Sequence, residues 1–362
     1  MRIALLVPTL EIGGVERVFA NLANGLHQCE VEVDLVVGRV GGDMERVLDE
    51  GLQVFDLGSD HMMESVPRIV KYFRERRPDA MITAMTHCSA AAVMARAIAG
   101  HKVKVVATEH NTMSQIVANT TGFKYRLMPL WGRMALNSAD AIVAVSVGVA
   151  DDLSTQTGIP RNRFQVIYNP VITPALYTVA EAPVDHPWFQ SGQPPVILAV
   201  GRLDKQKDFP MLVRAFRIVR DRRAARLMIL GEGPDRSRIE RAVDDAGLTY
   251  DVALPSSERN PYRFMSRAAV FASSSQWEGF GVVLVEALAL KVPVVSTDCP
   301  YGPAEILCHG NFGTLVPVGN HKAMAQALLI AIDRPVQNDS SAHLEQFTVR
   351  RAASSYLSII QN

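Results

Sequence analysis

Short β-rich runs alternate with longer helical patterns along almost the whole chain, and this alternation restricts the possible folds more than any other feature. The first half contains helical patterns near 15–26 and 67–76 and the runs IALLV, VEVDLVV, AMITA, VKVVAT, AIVAVS and FQVIYN. In such β-α-β units the connecting helix packs back on the sheet, so the strands run parallel. Residues 1–173 are therefore predicted to form a Rossmann-like α/β domain.

The alternation stops at 174–195, a segment rich in proline and polar residues, which is predicted to be a linker. It restarts with VILAVG, RLMILG, VFASSS and VPVVST, separated by helical patterns over 210–222, near 237–246 and after Gly281. Residues 196–343 are therefore predicted to form a second doubly wound domain. A chain of 362 residues is long enough to bury two such cores.

The last residues, 344–362, have a helical pattern and are predicted to pack back on the first domain. Open α/β sheets bind ligands beyond the carboxyl ends of their strands. Two facing domains would therefore enclose a ligand-binding cleft. The predicted fold class is α/β, with two doubly wound Rossmann-like domains facing a central cleft.

Composition argues against several classes of protein. Lys plus Arg and Asp plus Glu both number 37, so nothing indicates a nucleic-acid partner. The opening MRIALLVPTL lacks a cleavage site of small residues, and no apolar run approaches the length of a membrane span. The four cysteines are scattered, without metal-ligand spacing, and are interpreted as reduced thiols of a cytoplasmic protein.

The stretch SSSQWEGFGVVLVEALAL, residues 273–290, places two glutamates in a run that is otherwise almost wholly apolar. Glu286 is the only charge of the helix predicted after Gly281, and a carboxylate seldom stays unpaired in such a helix. Glu278 precedes the turn, close to where free backbone N–H groups and the helix dipole would face a ligand. A polar ligand explains this pattern, and a buried salt bridge for Glu286 with a solvated Glu278 explains it equally well.

Three other stretches follow predicted strands. In TLEIGGVER, Gly13 and Gly14 precede a helix and permit close approach of a phosphate or sugar, although a simple turn has the same composition. In ATEHN, His110 comes just after a strand, where it is either structural or in contact with a ligand. In AVGRLDKQKDF, Arg202 and Lys207 suit a diphosphate, with a solvated charged loop as the alternative.

Several common motifs are missing. No D-x-D pair exists to hold Mg²⁺ or Mn²⁺ on a nucleotide, so negative charge is expected to be met by protein cations without a metal. The glycines of LGEGPDRS lack the third member of a dinucleotide fingerprint, and neither a P-loop nor G-x-S-x-G occurs. Dehydrogenase, P-loop ATPase and serine hydrolase therefore lose support.

Taken together, the motifs resemble those of retaining GT-B glycosyltransferases, in particular the group 1 (GT4, glycogen-synthase-like) family. The similarity covers nearly the whole chain, through GGVER, ATEHN, VIYNP, GRLDKQKDF, LGEGP, SSSQWEGFGVVLVEALAL, STDCPYGPAEIL and GTLVPVGN. The combination of Glu278, Glu286, Arg202 and Lys207 is specific, whereas each piece alone is not.

The resemblance implies a catalytic group of four residues. Glu278 would hydrogen-bond the hydroxyls of the donor sugar, and His110 would contact that sugar from the opposite domain. Arg202 and Lys207 would neutralise the diphosphate as negative charge develops on it.

The resemblance also implies a set of donor-binding residues. Glu286 would bind the ribose, Pro255 would lie beside the base, and Gly14 would lie near the diphosphate. On the acceptor side it places Gly13 and Glu16. Backbone N–H groups that would face phosphate and sugar belong to Gly279, Phe280, Gly281, Val282 and Val283.

The implied activity is a metal-independent transfer of a hexose or N-acetylhexosamine, with no cofactor besides the nucleotide-sugar substrate. STDCPYGPAEIL is similar to the subgroup that often uses UDP-sugars, so a UDP-sugar donor and a lipid-linked oligosaccharide or surface polysaccharide precursor are expected. The alternatives are a GDP-mannose-dependent mannosyltransferase, a sugar-nucleotide epimerase and a catalytically silent GT-B binding subunit. Retention would follow if the leaving phosphate takes the acceptor's proton on the same face.

Two departures from the family pattern stand out. Lys291 occupies the place where a glycine usually ends the helix, which makes the local cap geometry uncertain. Pro255, Ser256 and Ser257 replace a glycine-containing turn near the expected base, which weakens the choice of nucleotide.

Basic and aromatic residues are interleaved in VPRIVKYFRERR and GFKYRLMPLWGRM, residues 66–77 and 122–134. Such a mixture suits an anionic membrane surface, and peripheral contact with the inner face of the cytoplasmic membrane is one interpretation. An ordinary amphipathic helix with a solvated basic face is the other, and it is favoured for the first stretch.

Overall fold

The computed structural model describes residues 1–11, 13–120, 127–334 and 338–362. These residues form two compact units. Unit 1 consists of Met1–Val171 with Gln346–Asn362, and unit 2 consists of Ile172–Glu345.

Unit 1 is built on a parallel sheet whose described strands follow the order β3-β2-β1-β4-β5-β6-β7. The strands are β1 (Arg2–Thr9), β2 (Glu32–Arg39), β3 (Gln53–Asp56), β4 (Ala80–Ala84), β5 (Lys104–Glu109), β6 (Ala141–Ala144) and β7 (Phe164–Val166). The helices are α1 (Gly14–His27), α2 (Val66–Arg76), α3 (Met85–Ala99), α4 (Met113–Asn119), α5 (Met128–Asn137) and α6 (Val147–Thr157). Short 3-10 turns cover Asp43–Val47 and Arg161–Arg163.

The central strands of unit 1 are apolar on both faces because helices cover the sheet on both sides. In β1, Ile3 to Val7 are fully buried, and in β4 every residue is buried. Their register is parallel, with Ile3 opposite Ala80 and Val33 opposite Ile3 on the other side. Continuous apolar runs in the sequence therefore correspond to strands in the middle of this sheet.

The chain returns to unit 1 at its end, where α15 (Val349–Gln361) packs on α1. A Cβ at Gly25 would collide with Val349, so this glycine permits the close approach of the two helices. The Tyr356 hydroxyl lies 3.2 Å from Thr108 Oγ1 in the buried layer between α15 and β5. Lys104 Nζ donates to the carbonyl oxygen of Ile360 at 2.9 Å and so satisfies a free carbonyl of the last turn.

Unit 2 has a second parallel sheet, whose described strands follow the order β10-β9-β8-β11-β12-β13. The strands are β8 (Val196–Val200), β9 (Arg226–Leu230), β10 (Val252–Ala253), β11 (Val270–Ser273), β12 (Val294–Thr297) and β13 (Thr314–Val316). The helices are α7 (Pro174–Ala180), α8 (Phe209–Arg222), α9 (Arg236–Asp245), α10 (Tyr262–Met265), α11 (Val282–Ala289), α12 (Pro303–Ile306), α13 (His321–Asp333) and α14 (Ser341–Leu344). Its 3-10 turns cover Pro187–Phe189 and Cys308–Gly310, and a further 3-10 turn, Glu345–Phe347, begins at its last residue.

The core of unit 2 lies between the sheet and three helices, α8, α9 and α13, and α8 and α13 contribute most of its helical residues. Phe216 and Leu212 of α8 and Leu328 of α13 are fully buried there, beside Ile197 and Leu227 of the sheet. Both helices place apolar residues on one side at the helical period, which predicts this packing.

Two doubly wound parallel sheets were predicted, and this prediction is confirmed. The segment predicted as a linker, 174–195, is grouped with unit 2 and contains α7 and one 3-10 turn. Its Trp188 ring lies 5.2 Å from the guanidinium of Arg226, and its Phe189 ring packs edge-on against Phe264 at 5.6 Å. These two aromatic ring contacts attach the proline-rich segment to the rest of unit 2.

Candidate functional site

The strand order of unit 2 reverses between β8 and β11, which are adjacent and parallel. From β8 the chain winds outward to β9 and β10, and from β11 it winds to β12 and β13 in the opposite direction. The two loops that leave β8 and β11 at their carboxyl ends therefore diverge, and such a switch point is where doubly wound sheets bind ligands. The loop after β8 consists of residues 201–208, and the loop after β11 consists of residues 274–281.

Across this switch point the structure brings Glu278 and Lys207 together. Lys207 Nζ donates to Glu278 Oε1 at 2.6 Å, and the Ser275 hydroxyl donates to the same oxygen at 2.6 Å. Glu278 Oε2 has a longer contact of 3.4 Å with the Gln206 amide nitrogen. One oxygen of the carboxylate is therefore held by two short hydrogen bonds, and the other is held only weakly by the described residues.

The backbone around Glu278 is fixed from the neighbouring loop. The Glu278 N–H donates to the carbonyl of Pro300 at 2.7 Å, and the Tyr301 N–H donates to the carbonyl of Glu278 at 2.9 Å. A Cβ at Gly302 would collide with the carbonyl oxygen of Phe280, so only glycine allows this approach. Gly281 has φ 99° and starts α11 from a left-handed conformation.

The ion pair of Lys207 and Glu278 shifts the pKa of Lys207 itself and of the neighbouring Cys299. Burial alone would lower the pKa of Lys207, but the charge of Glu278 and its hydrogen bond raise that pKa above the usual value. Burial and the charge of Glu278 raise the pKa of Cys299 to about 12, so this thiol stays protonated at neutral pH. The site therefore contains a charged lysine, a carboxylate and a neutral thiol.

Glu286 is buried on α11, the helix whose other residues are apolar. The Tyr262 hydroxyl donates to Glu286 Oε1 at 2.8 Å. The hydroxyl of a tyrosine in α10 is thus one partner of this buried carboxylate. The helix begins at Val282 and Val283, which are half-buried, after the buried turn of Gly279 and Phe280.

Arg202 differs from Lys207 in its surroundings, although the two lie in one loop. The Arg202 side chain is 75% exposed and lies 4.0 Å from Asp204, whereas the Lys207 side chain is 18% exposed and paired. Next to this loop, a Cβ at Gly231 would collide with the carbonyl of Gly201. Gly231 of LGEGP therefore allows the loops after β8 and β9 to pack closely.

The loop with Pro255 follows β10 and is partly exposed. The neighbouring carbonyl of Leu254 accepts from Arg236 Nη2 at 2.6 Å. Glu258 pairs with Arg263 at 2.9 Å; burial raises its pKa, but hydrogen bonds from the Asn260 backbone and from Arg263 outweigh this and lower it.

In unit 1 the strand order reverses between β1 and β4, and the glycine pair follows β1. Gly13 and Gly14 lie at the start of α1, and the Glu16 carboxylate folds back over Gly13 where a Cβ would otherwise sit. Burial raises the pKa of Glu16, with an opposing contribution from its own backbone N–H and a supporting one from Glu11. A side chain at 13 would therefore displace the Glu16 carboxylate, while the φ of −158° at this position is extended backbone that any residue adopts.

His110 follows β5 and is buried, with its ring 5.6 Å from that of Phe19 in α1. Its Nε2 atom has no hydrogen-bond partner within the described ranges. Burial lowers the pKa of His110 to about 3, so the imidazole is neutral at physiological pH. The structure thus brings His110 together with α1, the helix that begins at the glycine pair.

Glu109 precedes His110 and was not singled out from the sequence. Its carboxylate accepts from Thr86 Oγ1 at 2.9 Å at the start of α3, which has no cap of its own. Burial raises the pKa of Glu109 to about 8, although the hydrogen bonds from Thr86 oppose this shift. Its position favours capping of α3 from the neighbouring strand.

Of the two basic-aromatic stretches, the structure describes the first completely and the second in part. In the first, Ile69, Val70 and Phe73 are buried on α2, so this stretch is an amphipathic helix with its apolar side in the core of unit 1. In the second, Phe123, Lys124, Tyr125 and Arg126 lie outside the described residues. Trp131 lies on α5 and is largely exposed.

Lys291, the other departure from the family pattern, has φ 58° just beyond the end of α11. This is the left-handed position that glycine usually occupies after a helix. The Val292 N–H donates to the carbonyl of Ala287 at 3.0 Å, which closes the helix end despite the lysine. The cap geometry is therefore retained, at a cost of about 1 kcal/mol for a residue with a Cβ.

Sequence reasoning missed the side chains that hold the two glutamates, namely Ser275, Gln206 and Tyr262. Ser275 lies three residues before Glu278 in SSSQWE, and the serine run was the available signal. Gln206 Nε2 also donates to the carbonyl of Trp277 at 2.8 Å, which ties the two loops together.

If the protein transfers a sugar as its motifs imply, Ser275→Ala is expected to lower that transfer more than it lowers nucleotide affinity. The change removes one of the two short bonds to Glu278 Oε1, worth about 1.5–3 kcal/mol for a hydrogen bond to a charged group. Ser273→Ala is the matched control, because it removes a neighbouring buried hydroxyl whose contact is with Ser275, at 3.5 Å, and not with Glu278. Equal losses of kcat in both variants, measured by nucleotide release, would contradict a specific role of Ser275.

Among the described residues, no group of three or more His, Cys, Asp or Glu side chains is arranged to hold a metal ion. Within the same ranges, no helix has the length and apolar composition needed to cross a bilayer. All four cysteines are free thiols, with Cys88 and Cys299 buried.

The two units, each with a doubly wound parallel sheet, define a protein of the GT-B architecture. The family model "Glycosyltransferase Family 4" matches residues 12–173, and "Glycosyl transferases group 1" matches residues 185–347. The chain therefore belongs to the group 1 glycosyltransferase family, as its motifs predicted.

Two relatives of known name are similar over most of the chain. An N-acetylgalactosamine-N,N'-diacetylbacillosaminyl-diphospho-undecaprenol 4-alpha-N-acetylgalactosaminyltransferase from Campylobacter jejuni is 31% identical over 237 residues, which are 66% of this chain and 62% of the relative. The chain thus spans less than two thirds of that relative's length. The lipopolysaccharide core biosynthesis glycosyltransferase LpsE of Rhizobium meliloti is 26% identical, over 87% of this chain and 84% of its own.

The fold also matches solved structures. HepE of Anabaena, solved in complex with UDP and glucose, superposes with a TM-score of 0.79 at 18% identity, covering 100% of both chains. At this identity the similarity shows the fold alone.

Proposed function

We propose that the protein is a retaining glycosyltransferase that moves a hexose or N-acetylhexosamine from a nucleotide-sugar to a lipid-linked oligosaccharide or surface polysaccharide precursor. The observation that carries this proposal is the arrangement of Glu278 at the switch point of unit 2. Its backbone is fixed by the 300–302 loop, and one carboxylate oxygen is held by Lys207 and Ser275. The weakly held oxygen is then available to accept hydrogen bonds from sugar hydroxyls.

The nucleotide part of the donor fits the other residues of unit 2. Arg202 is exposed, with its guanidinium available to a diphosphate. The N-terminus of α11 at Val282 adds the positive end of a helix dipole. Glu286, already held through one oxygen by Tyr262, is proposed to accept from the ribose hydroxyls, and Pro255 is proposed to lie beside the base.

These groups suit the charges of a glycosyl transfer. The bond between C1 of the sugar and the diphosphate oxygen breaks, so negative charge grows on the diphosphate while positive charge grows on the ring. A new bond forms between C1 and the acceptor oxygen, and the acceptor's proton passes to the departing phosphate oxygen. Because that phosphate leaves from the face that the acceptor enters, the configuration is retained. No protein carboxylate pair at glycosidase spacing is needed for this route.

Unit 1 is proposed to contribute the acceptor side and one sugar contact. Gly13, Gly14 and Glu16 form a short turn at its switch point, and His110 is neutral beside α1. A neutral imidazole with a free Nε2 suits a hydrogen bond to a sugar hydroxyl, and it is unsuited to donate a proton as a cation at neutral pH.

A UDP-sugar is the proposed donor, and a polyprenyl-linked or polysaccharide acceptor is the proposed partner. The first rests on STDCPYGPAEIL and is in keeping with the UDP bound to HepE. The second is in keeping with the name of the Campylobacter jejuni relative, which acts on a diphospho-undecaprenol substrate. A cytoplasmic protein that contacts the membrane peripherally would meet both substrates. The transfer is proposed to need no metal.

Thermal melts with UDP and GDP at matched concentrations test the donor. A ligand at a hundredfold excess over Kd stabilises the folded state by about 2.7 kcal/mol. For a unit of this size we expect UDP to raise the Tm by about 5–10 °C, and GDP to raise it less. Glu286→Ala is expected to remove most of either shift, because both nucleotides share the ribose. Glu240→Gln, which alters an exposed carboxylate on α9, is the control and should behave as the parent.

The outcomes separate the competing functions. A larger shift with GDP would contradict the UDP-sugar and favour a GDP-mannose donor, while transfer would still be supported. If no nucleotide shifts the Tm, the silent binding subunit is favoured over the transferase.

A further inference from the structure

Asp208 is the last residue of the loop after β8, and it immediately precedes α8. An aspartate at this position usually has an extended backbone and accepts a hydrogen bond from a free N–H of the helix. Asp208 instead has a left-handed backbone, with φ 43° and ψ 45°, and within the described residues its carboxylate makes no capping bond to α8. A left-handed backbone costs free energy for a residue with a Cβ. Capping of the helix therefore does not explain this side chain.

The Asp208 carboxylate reaches the neighbouring loop after β11. Gln276 Nε2 donates to Asp208 Oδ2 at 3.0 Å, and the Gln276 backbone N–H donates to the carbonyl oxygen of Gln206 at 2.7 Å. Gln276 thus bonds to the residues on both sides of Lys207. Asp208 is buried, with 9% of its surface exposed, so removal of Gln276 would take a donor from a buried carboxylate.

The backbone of Lys207 is held by further bonds. Its carbonyl accepts from Ser274 Oγ at 2.6 Å, and its N–H donates to the carbonyl of Asp204 at 3.2 Å. Gln276 lies two residues before Glu278, whose carboxylate accepts from Lys207 Nζ. The two bonds of Gln276 therefore help to set the distance between the backbones of Lys207 and Glu278.

We propose that the contact between Gln276 and Asp208 is a positioning element for the candidate donor site. It holds the Lys207 backbone where Nζ reaches Oε1 of Glu278, so that Oε2 of the same carboxylate stays available. Strained backbone conformations persist where the surrounding contacts determine them, and they are concentrated at functional sites. Neither Gln276 nor Asp208 is proposed to touch the substrate. The inference rests on the proposed function for the reaction that the site performs.

Variants of the full chain test the contact by sugar transfer and by Tm. Transfer is followed as UDP release from a panel of UDP-hexoses and UDP-N-acetylhexosamines, with a membrane lipid extract as acceptor. Gln276→Ala is expected to lower transfer about tenfold, because a small displacement of the Lys207–Glu278 pair misplaces the sugar. UDP affinity from thermal shifts should stay within a few-fold of the parent, because the nucleotide contacts are unchanged.

Asp208→Gly separates positioning from stability. Glycine adopts the left-handed backbone without strain, which offsets the lost contact, so the Tm should stay within about 2 °C of the parent. Transfer should still fall about tenfold, since the acceptor for Gln276 Nε2 is gone. Asp208→Asn keeps an oxygen for Gln276 and tolerates a left-handed backbone, so its transfer should lie within about threefold of the parent.

The double variant, Gln276→Ala with Asp208→Gly, completes a double-mutant cycle. If the two residues act through one contact, the double variant should lose about tenfold in transfer, as each single variant does, and not about a hundredfold. Gln326→Ala removes an exposed amide on α13 and is the matched control, with the transfer and Tm of the parent expected. Normal transfer by Asp208→Gly, or a hundredfold loss in the double variant, would overturn the inference.

Urea unfolding tests the same contact in a protein that transfers no sugar. Lys207→Met should lower the urea midpoint less in the Gln276→Ala background than in the parent, because the ion pair is already weakened there. Equal falls in the two backgrounds would overturn the inference. A parent without transfer, but with unequal falls, would remove the proposed function and leave the positioning contact in place.

Discussion

Glu278→Gln is expected to reduce sugar transfer by about a hundredfold or more in a protein that still folds, with a lowered Tm because the buried charge of Lys207 loses its partner. The amide has the shape of the carboxylate, and its oxygen can still accept from Lys207 and Ser275. The NH₂ group then occupies the position of Oε2 and offers a donor where a sugar hydroxyl needs an acceptor. A hydrogen bond to a charged group is worth about 1.5–3 kcal/mol, and two such bonds that strengthen in the transition state account for the loss.

The measurement is single-turnover transfer, with UDP affinity from thermal shifts as the second readout. UDP binding should stay within a few-fold of the parent, because Glu278 is proposed to contact the sugar and not the nucleotide. Glu240→Gln, on the exposed side of α9, is the matched control for loss of one carboxylate. Normal turnover in a folded Gln variant would remove Glu278 from the sugar site.

The two sheets could be predicted because parallel strands that are buried on both faces appear in the sequence as continuous apolar runs. This worked for β1 and β4, and it placed Glu278 and Lys207 in loops at the carboxyl ends of β11 and β8. It missed the short strands β3, β10 and β13, and among the helices of unit 1 it missed α3, α4, α5 and α6. The sequence of α3 is rich in alanine and is apolar on its exposed side, so it lacks the alternation of wet and dry positions that identifies a surface helix.

The details of the site depend on contacts between distant parts of the chain. Lys207 and Glu278 are 71 positions apart, and Tyr262 and Glu286 are 24 apart, so no local pattern relates them. The sequence offered two explanations for the glutamates, a ligand or a salt bridge. The structure assigns the ion pair to Glu278, the glutamate that was considered solvated, and a tyrosine to Glu286. The free-energy cost of burial is therefore offset by an ion pair with Lys207 for Glu278, and in part by a hydrogen bond from Tyr262 for Glu286.

Arg202 and Lys207 also differ in the structure, although nothing in the sequence distinguished them. Arg202 and Lys207 were both expected to serve the diphosphate, with similar consequences on removal. The structure leaves Arg202 exposed and commits Lys207 to a buried carboxylate. Their alanine variants should therefore fail in different ways.

Lys207→Ala is expected to destabilise unit 2 by about 3 kcal/mol, because removing one partner of a buried pair leaves the other charge uncompensated. For a unit of about this size, that corresponds to a fall in Tm of about 6–12 °C. Arg202→Ala, at an exposed position, should leave the free energy of unfolding within about 0.5 kcal/mol of the parent value. It should instead weaken UDP binding about tenfold or more without a matching loss for uridine, because only the diphosphate is contacted.

The pH dependence of the pair provides an independent check on the same variant. The folded pKa of Lys207 is raised above 10.5, so the stability that it contributes is fully present below that pH and is lost as the pH rises through the folded value. The difference in unfolding free energy between the parent and Lys207→Ala should therefore be constant from neutral pH to about pH 10 and shrink above it. Lys207→Met, which keeps the apolar stem, should lose the same stability if charge is the cause. A Tm equal to that of the parent in both lysine variants, together with a selective loss of UDP affinity, would instead return Lys207 to the role of a diphosphate ligand like Arg202.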